Sequence, residues 1–228
     1  MAIAENRLIE LLPHMERRQL LAVAERIELV QGDVLGERPP SARSVYFPTH
    51  GFISLVATLE GKPVMEVGMI GREGMWRPGL APCAPPMRAL VLGPGAAWRI
   101  GARAFHQVLA ESGAMRRCMD RYIQALITQL VSSAACVGFH RIEPRLARWL
   151  LRSQDRANCD SFFATQELLS AMLGVRRVGV TAAAGELQRR GLIQYRRGNI
   201  TVLDRAGLEA ASCSCYATDR QTYSRLSN

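Results

Sequence analysis

The sequence predicts an α+β chain: a small antiparallel β domain, one long helix, and a winged helix-turn-helix towards the C-terminal end. Three observations predict it. Between Val45 and Ile100 the chain is a string of short β-branched or aromatic runs punctuated by Gly and Pro. From Ala114 to Val137 it holds neither Gly nor Pro, and its apolar residues recur at helical spacing. From Thr165 to Asp204, two short amphipathic segments separated by a glycine lead into two strand-like runs around "RRGN".

At the N-terminal end, "MAIAENRLIELLPHMERRQLL" reads as an amphipathic helix interrupted by charges, without the apolar core of a secretory signal. "VYFP", "FISLVAT" and "VMEVGMI" read as strands, the last two joined by a hairpin at "LEGK". "PGLAPCAPPMR" and "LGPGAAWRI" read as turns between further short strands. These elements make a β domain over residues 1–113.

The next segment, 114–138, is a single helix. Met115, Met119, Tyr122, Leu126, Leu130, Ser133 and Val137 lie along one stripe, widened by Ile123 and Ile127. A helix of this length is expected to bury its stripe against a second copy of itself, which predicts a homodimer. Pro144 then sits near the start of another helix, "PRLARWLLRSQDR", where a first-turn proline costs little.

In the last third, 139–228, Thr165 caps a helix beginning at Gln166, and Gly174 ends it and makes the turn. The second helix runs from about Arg177 to Arg190, with Val180, Ala184 and Leu187 facing inward and Gly191 ending it. The two strands after it form the wing. In such a unit the first residues of the second helix face the bases, and flanking elements grip phosphates. Arg176, Arg177, Val178, Gly179 and Thr181 are therefore the candidate DNA-reading residues. Arg177 is placed for guanine, and Arg176 for phosphate. Thr165 and Gln166 can donate to phosphate, and Arg196 and Arg197 at the wing tip suit the backbone or minor groove.

Charge agrees with a polyanionic partner, here double-stranded DNA. The formal net charge is +9, and of the 29 basic residues only Lys62 is lysine. Arginine supplies the planar, bidentate donor that phosphate and guanine accept. An enzyme is disfavoured, since G-x-S-x-G, H-E-x-x-H and P-loop motifs are all absent. A protein-binding winged helix is the alternative, and the paired arginines and basic wing argue against it. No run approaches the roughly 18 apolar residues needed to span a bilayer, so no membrane partner is expected. The six cysteines follow no disulfide framework, and the chain reads as cytoplasmic.

The stretch "TQELLSAMLGVRRVGVTAAAGELQRRGLIQYRRGNITVLDRAGLE" resembles the C-terminal winged helix of the Crp–Fnr superfamily of bacterial transcription regulators. The order of β domain and long helix is similar as well, and "HRIEPRLARWLL" resembles the first helix of that family's DNA domain. The resemblance implies a cyclic-nucleotide-binding-like antiparallel β-roll at the N-terminal end. It also implies a homodimer on a palindromic operator, contact with RNA polymerase, and an effector sensed by the β-roll.

"GMIGREGMW" resembles the turn that opens the effector cassette, which makes Gly71, Glu73, Gly74 and Arg88 the candidate effector pocket. Two departures bear on the effector. In "PCAPPMRAL", Arg88 stands next to Ala89 where cyclic-AMP binders have Ser or Thr, and Pro85–Pro86 would break the cassette helix. Cysteine is absent before Cys83, so the N-terminal cluster of the family's oxygen sensors is missing. Val178 replaces a glutamate common in the family's recognition helix, which implies a different operator. Cyclic AMP is not expected to bind.

Neither a cofactor nor a metal is expected. Cys213 and Cys215 form C-x-C, but two further ligands would be needed, and His14, His50, His106 and His140 all lie far off in sequence. His140, beside Arg141 and Glu143, reads as a polar helix start. Met65, Met69, Met75 and Met87 read as core filler.

Overall fold

The computed structural model describes residues 5–36, 44–58, 64–78 and 87–225. The expected hairpin at Leu59–Lys62 and the cassette residues Cys83, Pro85 and Pro86 lie outside them.

Pro13 divides the expected N-terminal helix into α1 (Arg7–Glu10) and α2 (His14–Ala22). It cannot donate to an α-helical ladder, so the first helix stops before it. Asn6 caps α1 through its side-chain oxygen, and its amide nitrogen donates to Pro48 at 2.8 Å and Gly74 at 2.9 Å.

The β domain is a five-stranded antiparallel sheet. Its strands are β1 (Ala24–Leu29), β2 (Val34–Leu35), β3 (Ser44–Ala57), β4 (Met65–Ile70) and β5 (Met87–Gly101), in the order β1-β5-β3-β4 with β2 also on β5. β3 and β5 are the long central pair, and they correct the sequence reading. "VYFP" and "FISLVAT" are one strand, and "LGPGAAWRI" belongs to one strand with no turn in it. The glycines and proline mark bulges instead, with register shifts between Pro48 and Ile53. A Cβ on Gly93 would lie 2.3 Å from the Phe52 ring, so only glycine lets the two strands cross there.

After α3 (Ala102–Glu111) comes α4 (Gly113–Phe139), whose N-cap Ser112 accepts from the Met115 amide at 3.0 Å. Met115, Met119 and Tyr122, expected at a dimer seam, are instead buried in the chain's own core with Cys118 and Phe105. The Tyr122 hydroxyl donates to the Met75 carbonyl at 2.7 Å. Leu126 is half-buried against the same core, and Leu130 and Ser133 are half-buried as well. The open apolar face is a different stripe, with Ile123, Ile127 (54% exposed) and Val131 (64% exposed), then Val137 near the end. Periodicity located an apolar face here but could not say which of two faces meets the sheet.

α4 is also long and apolar enough to cross a membrane, with an 18-residue window of mean hydropathy 1.4 that is only 22% buried. Gln124, Thr128, Gln129, Ser132 and Ser133 interrupt the apolar run, although no charge falls between Tyr122 and Phe139. A soluble helix with one face open passes the same test.

α5 (Ile142–Ala157) lies between the β domain and the winged helix. Leu146, Ala147, Leu150 and Leu151 join Phe52, Val56, Met69 and Leu92 of the sheet in one continuous core. α6 (Gln166–Leu173), α7 (Arg177–Arg189), β7 (Ile193–Arg196) and β8 (Asn199–Val202) follow, with β6 (Ser161–Phe163) completing a three-stranded wing. α8 (Arg205–Ala211) and α9 (Cys215–Ser224) close the chain, α9 packing on α4 and α5.

Candidate nucleic-acid interface

The helix-turn-helix is set by local chemistry. Thr165 is the N-cap of α6, its side chain accepting from the Leu168 amide at 3.1 Å. Gly174 ends α6 in the left-handed region at φ 62°, and the Gly174 and Val175 amides close on Ala171 and Ser170. The Arg145 guanidinium donates to the Leu173 carbonyl and fixes the turn from α5.

The predicted reading residues separate into three kinds. Arg176, Arg177 and Val178 stand open at the start of α7, with Val178 73% exposed. Arg176 is the N-cap residue and supplies no side-chain cap. Thr181 is exposed one turn on, its hydroxyl donating to Gln166 at 2.9 Å and lying 3.1 Å from the Arg177 carbonyl. Gln166 thus ties the first helix to the second while remaining at the surface. Gly179 is half-buried and packs on α5, where a Cβ would lie 2.6 Å from Ile142. The exposed face of α7 continues through Ala182, Gly185 and Arg189. Of these, Gly185 and Arg189 are not among the residues that the sequence singles out, since neither stands at the helix start.

Arg196 and Arg197 are exposed at the wing tip. Arg197 (φ 51°) and Gly198 (φ 86°) form the two-residue turn between Arg196 and Asn199, with positive φ at both positions as the tight hairpin requires. Tyr195, at the base of the wing, donates to the Ala164 carbonyl at 2.8 Å. Burial pushes the Tyr195 phenol up, and the nearby positive charge of Arg177 works against that. The wing and the start of α7 are therefore electrostatic neighbours.

The residues expected at an effector pocket fall on the glycine turn after β4 and on β5. Glu73 is buried and ion-paired to Arg156 of α5, at 2.7 and 2.8 Å to two guanidinium nitrogens. Cβ atoms on Gly71 and Gly74 would lie 2.7 Å from Arg156 and from Tyr122, respectively. This glycine turn admits α4 and α5 to the sheet. Arg88 is on β5, opposite Val56 of β3. Around the turn lies a buried polar cluster that sequence reading missed. Arg148 pairs with Asp219 of α9 at 2.8 Å, Arg152 donates to Gln129 at 2.6 Å, and Trp149 donates to Glu66 at 3.1 Å. Burial disfavours the charge on Arg156, yet Glu73, Tyr223 and Asp219 together outweigh it and raise the pKa above the usual arginine value. Burial likewise pushes the Tyr223 phenol up to about 12, with Glu73 adding to the effect.

The expectation that Cys213 and Cys215 lack partners is also corrected. Cys136 and His140, from the C-terminal end of α4, lie beside them. The Cys136 and Cys213 sulfurs are 3.5 Å apart, and the Cys215 sulfur is 3.6 Å from His140 Nδ1.

Comparison with known proteins places this geometry. Residues 144–211 match the Crp-like helix-turn-helix domain. No curated protein matches the sequence. A candidate transcriptional regulator of the Crp/Fnr family from Eubacterium rectale has 14% identity and a TM-score of 0.70, the match covering 91% of this chain and 98% of that one. FixK2 from Bradyrhizobium japonicum has 15% identity and a TM-score of 0.65, covering 84% and 98%. A Crp-family transcriptional regulator from Thermus thermophilus has 19% identity and a TM-score of 0.64, covering 82% and 96%. At such identities the likeness is one of fold.

Proposed function

From the premise that residues 144–211 form a Crp-like helix-turn-helix domain within a chain of Crp/Fnr fold, we infer a DNA-binding transcription regulator that reads a palindromic operator as a homodimer. The observation that carries this reading is the exposed start of α7, where Arg176, Arg177 and Val178 stand open to solvent, as do Arg196 and Arg197 at the wing tip. Arg177 reads a guanine, Arg176, Arg196 and Arg197 hold phosphates, and Thr165 and Gln166 add donors at the start of α6. The open face of α4 through Ile123, Ile127 and Val131 forms the seam between protomers.

Selection of bound fragments from genomic DNA tests the reading. A recurrent inverted repeat is expected, with affinity that falls steeply with salt because each neutralised phosphate releases counterions. Arg196→Ala should weaken binding to all sequences alike and flatten the log–log salt slope by about one unit. A selection that yields no shared sequence, or salt-insensitive binding, would point to a protein partner instead.

The effector in this reading is not cyclic AMP. An anionic cyclic phosphate needs a cation with hydroxyl and backbone donors around it. Arg88 has Ala89 beside it, and Arg99, the other arginine of β5, is paired with Glu25 at 2.6 Å. Titration calorimetry with cyclic AMP or cyclic GMP is expected to show no saturable heat up to about 1 mM, where even a binding energy of roughly −4 kcal/mol registers. Micromolar binding with a matching rise in operator affinity would overturn this.

A further inference from the structure

We propose that Cys136, His140, Cys213 and Cys215 form a mononuclear tetrahedral metal site of the zinc type. Their four ligand atoms all lie within 4.8 Å of one another. A tetrahedral ion with Zn–S of about 2.3 Å and Zn–N of about 2.0–2.1 Å holds its sulfurs roughly 3.8 Å apart, and a sulfur and a nitrogen roughly 3.6 Å apart. The 3.5 Å between Cys136 and Cys213 and the 3.6 Å between Cys215 and His140 match those edges. Three sulfurs and one imidazole nitrogen are also a donor set that zinc takes in closed structural sites. An iron–sulfur cluster divides its ligands among two or more irons, so ligands on different irons lie further apart than this set does.

The ligands come as two local pairs. Cys136 and His140 are four apart at the end of α4, where one helical turn puts both on one face, and His140 is the C-cap residue. Cys213 and Cys215 flank the start of α9, and the Cys213 amide approaches the Pro144 carbonyl of α5 at 3.4 Å. Cys136 and Cys213 are buried and the other two are half-buried. Three thiolates and one divalent ion carry a net charge of −1. Arg145 and Arg148 are near enough to the Cys136 and Cys213 sulfurs to offset it electrostatically. Binding releases the remaining thiol protons to solvent as the thiolates form. The metal would fasten the C-terminal helix to the joint between α4 and α5, from which the helix-turn-helix departs. This assignment is independent of whether the winged helix reads DNA.

The test is metal analysis of the full chain purified under reducing conditions, followed by Co²⁺ substitution. About one zinc per chain is expected, and the cobalt form should show thiolate-to-metal charge transfer in the near ultraviolet with intense visible bands of tetrahedral geometry. Cys213→Ser and Cys215→Ser should each lose the stoichiometric metal and the charge-transfer band. Cys159→Ser, which alters an exposed cysteine outside the cluster, should keep both. His140→Cys should retain the metal with a stronger charge-transfer band, which separates ligation from misfolding. The proposal is overturned if the folded wild-type chain binds neither zinc nor Co²⁺ stoichiometrically. It is equally overturned if Co²⁺ binds without a thiolate band, or if Cys136 and Cys213 are recovered as a disulfide that forms as readily with zinc present as without it.

Discussion

Ile127→Glu is expected to convert a dimer into monomers and to lower operator affinity by about 10²–10⁴-fold. Ile127 is at the centre of the apolar stripe that α4 leaves open, with Ile123 one turn before it and Val131 one turn after. A carboxylate in that seam would be desolvated without a partner, a cost no surface ion pair offsets. The affinity loss follows from multivalency, because two linked half-site contacts become two independent ones. Leu126→Glu would be a poorer probe, since Leu126 packs against its own protomer and the change would damage the fold as well. Sedimentation reads the mass and circular dichroism checks the fold. A wild-type monomer at micromolar concentration, or an Ile127→Glu chain that stays dimeric, would refute the seam.

Glu73→Gln is expected to destabilise the chain by about 3–5 kcal/mol, because it leaves the Arg156 guanidinium buried without its counter-charge. The thermal midpoint should fall by on the order of 10 °C. Replacing both partners, Glu73→Leu with Arg156→Met, should recover most of the loss, since a well-packed apolar pair of similar volume is often as stable as a buried ion pair. The measurement also probes the docking of α5 on the sheet, because Glu73 belongs to the β domain and Arg156 to the helix that leads into the winged helix. A loss below about 1 kcal/mol would mean that the pair is solvated.

The parts of this molecule that were legible in the sequence are those fixed within a few residues. Thr165, Gly174, Gly191 and the "RRGN" turn each act on neighbouring backbone, and each marks an element boundary in the structure. What was not legible depends on distant packing. Gly93, Pro94 and Gly95 read as a turn, yet the His50 carbonyl lies against Gly95 and the Gly93 and Pro94 carbonyls lie against Gly51, which keeps the stretch within a bulged strand. Met115, Met119 and Tyr122 have the spacing of a dimer seam, and the sheet claims them instead. Glu73 looked like a ligand contact because Arg156, its partner, is 83 residues away. Cys215 and His140 are 75 residues apart, and only the return of α9 along α4 brings them together. The exposed arginines at the start of α7 are the opposite case, since a local helix start and one glycine turn suffice to present them.

The central claim is that α7 reads DNA sequence through Arg177. The most direct measurement is the ratio of operator affinity to random-DNA affinity for wild type and for Arg177→Ala, at one fixed salt concentration. A bidentate arginine–guanine pair carries about 1–3 kcal/mol of discrimination, so the ratio should fall by roughly 5- to 150-fold. Random-DNA affinity should change far less, by no more than the loss of one phosphate-range charge. An unchanged ratio in a folded, dimeric Arg177→Ala chain would contradict the account.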